Sequence, residues 1–226
     1  MSGDVPQAVF INTSGGVTGG DRLAYCASVG DGAKLTVTTQ AAERIYRATA
    51  GPAKISNTLH LDKAATLEWL PQETILFDGS NLHRRLDVDM AEDASLLAVE
   101  TLVFGRKAMG EVLQTAQLHD TWRIRRGGVL AYADALRFTA PVPNGVAGFG
   151  DNTALAILLY LAPDAETRLE QARGLLGFDE VEAAASAWNG ILAVRFLAPD
   201  AHPLRRALIL FLTGFRGCPL PRVWHM

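Results

Sequence analysis

The sequence predicts an all-β body that carries two α-helices in its C-terminal third. Three observations lead there. Apolar side chains recur with a period of two, the alternation of a half-buried strand, in segment after segment as far as Leu161. Turn signals punctuate these segments roughly every ten residues, among them Asp31-Gly32, Asp78-Gly79, Gly127-Gly128 and Asn189-Gly190. Helical periodicity first becomes clear beyond Pro163.

Residues 8–11 read as a strand and run into the segment 12–22. There Gly15, Gly16, Gly19 and Gly20 permit positive φ angles or close backbone approach. A phosphate loop would need a following Gly-Lys-Ser/Thr and a helix; neither is present, so the segment reads as a structural turn with Asp21 as its one chemically useful side chain. Residues 23–29 and the β-branched alternation of 34–40 are strands. Residues 41–47 are either a helical turn or more strand. Ile55, Leu59 and Leu61 alternate with Ser56, His60 and Asp62, and Leu67 and Trp69 carry that period forward.

The stretch 69–79 is the most unusual in the chain. Pro71 cannot donate to a sheet ladder, the polar pair Gln72-Glu73 precedes the apolar Ile75-Leu76-Phe77, and Asp78-Gly79 closes the run as a turn. It is either a kinked edge strand or a strand whose Gln72 and Glu73 address one specific group.

Leu82, Leu86, Val88 and Met90 then share one face of a strand and His83, Arg85, Asp87 and Asp89 the other, with Arg84 the exception on the apolar side. Residues 95–104 are nearly all apolar, interrupted by Glu100 and Thr101; residues 112–124 form one or two strands; and Gly127-Gly128 turns into the strand 129–138, which contains Asp134. The Gly- and Pro-rich segment 139–151 is the best candidate for a boundary inside the chain. After the apolar strand 154–161, Asp164 is placed to cap a first helix with Leu169, Ala172, Leu175 and Leu176 as its stripe and Gly177 as its stop. A hairpin about Asn189-Gly190 follows. Pro203 opens the second helix, with Leu204, Ala207, Leu208 and Phe211 on one face.

Composition excludes several classes. A chain of 226 residues can bury a sizeable core, and 49% hydrophobic against 20% charged residues marks it as folded. A net charge of −3 gives no global push toward nucleic acid or anionic membranes. The longest apolar run, 154–162, is too short to cross a bilayer. Met1-Ser2-Gly3-Asp4 shows no signal-peptide pattern, and Cys26 and Cys218 lie far apart, so a reducing, cytoplasmic setting is expected.

The five histidines show no H-x-H or H-x-x-x-H spacing, so no closed zinc site is legible and each reads as a surface or capping residue. Cys26 reads as a small buried thiol. No nucleophile–base constellation appears, so a hydrolase has no support in the residues. Arg84-Arg85 and Arg205-Arg206 read as solvated pairs. Glu100 and Asp134, within apolar runs, are more informative. Alternation places each on a solvent face, or burial requires that each be paired, protonated or turned toward a wet cavity or metal.

Five ordered stretches resemble the UreD (UreH) urease accessory family. They are the Gly15-Gly16-x-x-Gly19-Gly20-Asp21 turn, the segment 38–47, the central signature 67–73 with Phe77-Asp78-Gly79, Arg106 with Gly110-Glu111, and Pro221-Arg222-Val223-Trp224. Arg44 stands where the family usually has lysine, and fewer residues precede the first turn than is usual. The resemblance covers nearly the whole chain as a single domain, 1–226. It implies stacked, β-helix-like strand layers with two helices, and a maturation chaperone with no enzymatic activity. Such a protein binds apo-urease and, with a UreF-type accessory protein and a UreG-type GTPase, helps deliver nickel; an adaptor that carries no nickel is the alternative. It implies no permanently bound cofactor and a transient Ni²⁺. Its acidic positions fall on Asp21, Glu100 and Asp134, with Glu43 near one end of an interior passage. Its motif positions are Gly15, Gly16, Gly19, Gly20, Gln72, Glu73, Asp78, Gly79, Arg106, Glu111, Arg222 and Trp224. The last two are expected to be exposed at a partner interface.

Overall fold

The computed structural model of the chain describes residues 5–142, 145 and 148–225. Among them, alternating apolar and polar side chains become strands of two facing sheets. The larger sheet has nine strands: β1 (Gln7–Phe10), β3 (Lys34–Thr39), β4 (Glu43–Ile45), β6 (Thr66–Leu70), β7 (Thr74–Leu76), β9 (Ser95–Phe104), β12 (Ala154–Leu161), β13 (Glu182–Trp188) and β14 (Ile191–Ala198). The smaller has five: β2 (Arg22–Val29), β5 (Ala53–Leu61), β8 (Asn81–Met90), β10 (Gln117–Arg126) and β11 (Val129–Thr139).

From β2 to β10 the chain winds from one sheet to the other and back. Strands β2, β5, β8 and β10 therefore stack in parallel, as do β1, β3, β6 and β9. This is a β-solenoid, the β-helix-like architecture expected above. Its corner turns are stitched across rungs by carboxylates: Asp31 Oδ1 accepts from the Lys63 amide at 3.0 Å, and Asp93 Oδ1 from the Ala64 amide at 3.0 Å. The winding ends at β10. Strand β11 returns antiparallel to β10, and β12, β14 and β13 extend the larger sheet antiparallel from β9.

Inward-facing side chains of both sheets fill the space between them. Leu59, Leu86, Val88, Trp122 and Ile124 from one sheet meet Val37, Leu67, Trp69, Leu96 and Ala98 from the other. A second apolar layer gathers Ile55, Leu82, Leu118 and Phe138 with Ile45, Leu76, Leu102 and Phe104. On the outer face of the larger sheet lie α1 (Leu169–Gly174) and α2 (Ala201–Arg216). Asp200 accepts from the His202 amide to start α2, and Gly217, at φ 70°, stops it. Its buried stripe of Leu204, Ala207, Leu208, Phe211, Leu212 and Phe215 packs on Leu97, Val99, Val103 and Phe196. Strand β9 is thus covered on both faces, which is why it reads as one apolar run.

Several local expectations are corrected. Residues 41–47, open between a helical turn and more strand, supply strand β4. The stretch 69–79 is no edge strand: β6 lies between β3 and β9, β7 lies between β4 and β9, and Pro71 sits in the break between them. Of residues 112–124, only those from Gln117 onward are strand. Helix α1 begins at Leu169 without a side-chain cap; Asp164 instead accepts from the Tyr160 hydroxyl at 2.8 Å. Cys26 is exposed, because it points outward from β2, an edge strand of the smaller sheet. The segment 139–151 lies partly outside the described residues.

Candidate functional site

Between the two apolar layers of the interior sits a buried ion cluster. Parallel pairing of β8 with β10 sets Arg84 directly beside Asp120. Arg84 Nε donates to Asp120 Oδ1 at 3.0 Å and Nη2 to Oδ2 at 2.6 Å, a bidentate fork. Its Nη1 donates to Thr74 Oγ1 at 3.0 Å and forms an ion pair with Glu100 Oε2 at 2.6 Å. The other Glu100 oxygen accepts from Asn57 Nδ2 at 3.2 Å and Trp69 Nε1 at 3.1 Å. The three charged side chains are 5% exposed or less, so they are removed from bulk water.

Asp120 claims two of the three donor nitrogens of Arg84, and Glu100 shares the third with Thr74. Burial raises the Glu100 pKa; Arg84 pulls it down, Asp120 pushes it up, and the balance lies above the usual carboxylate value. Burial would loosen the Arg84 proton, but Asp120 and Glu100 outweigh it and hold the guanidinium charged. Glu100 is therefore the less firmly held of the two acids.

A narrow space of about 40 Å³ reaches Glu100. That is room for a few waters. It is lined by Tyr25, Thr39, Glu43, Trp69, Gln72 and Arg84 among others, and it shares Tyr25, Thr39 and Glu43 with an outer cleft of about 190 Å³. Glu43 stands where the two meet. Both its oxygens accept from Asn12 Nδ2, at 3.0 and 3.1 Å, while burial raises its pKa above the ordinary value. The carboxylate in turn adds to the burial that raises the Tyr25 pKa.

The rim of the outer cleft is built by close backbone approach. Gly16 lies at φ 148°, and a β-carbon there would collide with the Tyr46 ring. A β-carbon on Gly19 would meet Ala48 at 2.8 Å. Asp21 closes this turn by accepting from the Thr18 amide at 2.9 Å. Nearby, Asp78 accepts from the amides of Gln114 and Thr115 at 2.7 and 3.0 Å, and these bonds hold its carboxyl below its usual range. Arg106 forks onto Glu111 through Nε and Nη2 and lies over the Phe77 ring at 4.2 Å.

Gln72 and Glu73 do address one specific group. Arg205 of α2 donates to Gln72 Oε1 at 2.5 Å, to Glu73 Oε2 at 3.0 Å and to the Trp224 carbonyl at 2.8 Å. Trp224 Nε1 donates to the Leu70 carbonyl at 3.1 Å. Further along α2, Arg216 forks onto both oxygens of Glu68 at 2.7 Å. The central signature is thus the seat on which the second helix and the tail are bolted.

Two comparisons with known proteins bear on this arrangement. A family model described as UreD urease accessory protein matches residues 1–225. The chain belongs to that family. A urease accessory protein UreD of Methylobacterium sp. (strain 4-46) is 48% identical over 233 residues, covering 100% of this chain and 83% of that protein. That of Xanthobacter autotrophicus is 51% identical over 96% of this chain and 76% of its own length. That of Azorhizobium caulinodans is 47% identical over 100% and 84%.

Of the acidic positions carried over from the UreD resemblance, the fold brings Glu43 and Glu100 to one interior space. It does not bring Asp21 or Asp134 there. Asp21 is exposed in its turn. Asp134 pairs with Arg195 at 2.8 Å and accepts from the Tyr132 hydroxyl at 2.9 Å, beside a separate cavity. Trp224 is 2% exposed, so it packs the tail onto the core and is not the exposed aromatic expected; Arg222 is exposed. Arg84 is buried and Arg205 half-buried, against the reading of both as solvated. Sequence reasoning missed Asp120 and Asn57 altogether. The one signal for Arg84 was its place on the apolar side of its strand. Among the described residues, no three His, Cys, Asp or Glu side chains converge as a metal-ligand set.

Proposed function

We propose that this chain acts in urease maturation as a cytoplasmic, non-catalytic chaperone that handles nickel in transit. It binds apo-urease and works with a UreF-type accessory protein and a UreG-type GTPase. GTP hydrolysis belongs to that partner, since the glycine-rich turn here carries no Lys-Ser/Thr for phosphate. Ni²⁺ is cargo in this reading. It enters at Glu43 and is passed to Glu100 through the narrow space they share. The observation that carries the reading is that pair of carboxylates: both are held above the usual pKa by burial, and both line the same narrow interior space. Carboxylate and water ligands exchange readily at a borderline divalent cation, which suits transfer better than storage. Glu100 Oε2 meets Arg84 Nη1 alone, at 2.6 Å, while the Asp120 fork engages the other two nitrogens of that guanidinium.

The adaptor reading has one observation in its favour: the buried charges already satisfy one another. Urease activation in cells expressing the urease gene cluster separates the two. Glu43→Ala and Glu100→Gln should each lower urease activity and its nickel content several-fold while the accessory complex still co-purifies. Asp134→Ala should leave activation near wild type. Full activation by both cavity variants would leave the adaptor reading standing.

A further inference from the structure

The outer face of the five-stranded sheet carries a feature that the interior passage does not use. Strand register lines up Arg22, Lys54, His83, His119 and Arg137 side by side, one from each of the five strands. Neighbouring rungs lie about 4.8 Å apart, so this is a continuous row of basic and imidazole groups across the whole sheet. The His83 and His119 rings meet edge to face at a centroid distance of 5.4 Å. Arg85, Arg123 and Arg125 project from the same face, with Arg85 paired to Asp87 at 3.0 Å and Asp89 as the other carboxylate there. The face thus holds six basic side chains against two carboxylates, on a chain whose net charge is −3. The remainder of the molecule is correspondingly acidic, so the charge is segregated.

We infer that this sheet face is a docking surface for an acidic protein surface, read by the Arg22–Lys54–His83–His119–Arg137 row. A segregated field of this kind steers a complementary partner and fixes its orientation. A divalent cation does not fit here: the paired imidazoles stand between Lys54 and Arg137, whose charges repel it. A nucleic acid fits less well than a protein. Asp87 and Asp89 would face its phosphates, and the face presents no aromatic platform on which bases stack. The histidines give the docking a proton linkage. The His83 pKa is lowered by burial and by His119, Lys54 and Arg137. These groups, together with Arg85 and Asp87 on the next rung, are the charges that face the pair, and a row of carboxylates laid against them would favour the protonated His83 ring. Binding therefore takes up protons and tightens as pH falls from 8 to 6.

The test uses the full chain with poly-L-glutamate as the acidic probe and a DNA duplex of equal charge as the competitor. Lys54→Glu with Arg137→Glu should weaken poly-L-glutamate binding by about tenfold or more at low salt. Lys63→Glu with Arg173→Glu, an equal charge change elsewhere on the surface, should change it by less than about twofold. His83→Gln with His119→Gln should flatten the pH dependence and keep binding at pH 8. Circular dichroism melts check that the variants fold alike. Equal losses in both charge-swap variants, a pH dependence that survives removal of the histidines, or tighter binding to DNA than to poly-L-glutamate would each overturn the inference. None of these results touches the passage through Glu43 and Glu100, which is read by urease activation.

Discussion

Two arginine–carboxylate assemblies lie on opposite faces of one sheet, and they carry their charge on different terms. On the inner face, Arg84, Glu100 and Asp120 are sealed between the sheets. On the outer face, Arg205 and Arg216 pin α2 to Glu73 and Glu68, with Glu73 and Glu68 side chains 22% and 19% exposed. Strand β6 faces both ways: Trp69 turns inward to Glu100, whereas Glu68 and Leu70 turn outward to Arg216 and the Trp224 indole. The outer assembly orients a helix and keeps contact with water. The inner one has lost its water, and its mutual attraction must offset a desolvation cost of several kcal/mol per ion. Apolar side chains would fill that layer at lower cost, as they do in the layers above and below it. The buried charges are best understood as retained for what they do, while the outer clamp is explained by the fold it secures.

The largest effect should come from breaking the inner assembly by halves. Asp120→Ala leaves Arg84 buried with one indifferent partner, and should destabilise by about 3–5 kcal/mol in urea unfolding. Replacing all three together, as Arg84→Met, Glu100→Leu and Asp120→Leu, should recover most of that loss or exceed wild-type stability. That variant should nevertheless fail to support urease activation. A triple variant as unstable as the single one would mean that the cluster is structural, and the contrast between the two faces would collapse.

The outer clamp should respond in the ordinary way. Arg216→Ala removes a bidentate, charge-assisted pair and should cost about 1.5–3 kcal/mol. Arg205→Lys should not restore what Arg205→Ala loses, because an ammonium cannot span Gln72, Glu73 and the Trp224 carbonyl in one plane. Here loss of stability and loss of activation should run in parallel across variants, unlike the inner cluster, where the apolar triple variant uncouples them.

The two regions were unequally legible in the sequence. The strands were readable from alternation, and α2 from its stripe and stop, since both signals are local. Glu100 was readable because a carboxylate interrupts an apolar run. Its partners were not. Asp120 sits in the polar-looking string His119-Asp120-Thr121, and only the pairing of β10 with β8 turns it inward beside Arg84. Arg84 stands next to the solvated Arg85, and an arginine pair reads as surface although successive strand residues face opposite ways. Winding the solenoid requires parallel pairing between segments about thirty residues apart, and no local propensity encodes it; the family resemblance supplied that part. The burial of Trp224 has no local signal, because a chain end is usually open, and here Leu70 and Arg205 hold it down.

The smallest effect separates the two kinds of environment by the sign of their pH dependence. Glu100 inside and Asp78 at the surface turn are both carboxylates, and the fold moves them in opposite directions. Burial first of all holds Glu100 above its ordinary pKa. The folded state then binds that proton more readily than the unfolded chain, so its contribution is fully present below the unfolded value and is lost as pH rises through the folded one. The amides of Gln114 and Thr115 hold Asp78 low. Its contribution is present above the unfolded value and is lost as pH falls through the folded one. Measured from acid to neutral pH, the stability of Glu100→Gln relative to wild type should therefore rise. The stability of Asp78→Asn relative to wild type should fall over the same interval. Denaturant titrations of the three proteins at matched ionic strength read both trends. If the two variants drift in the same direction, the interior carboxylate is as well compensated as the surface one, and the physical distinction between the two faces of the sheet does not hold.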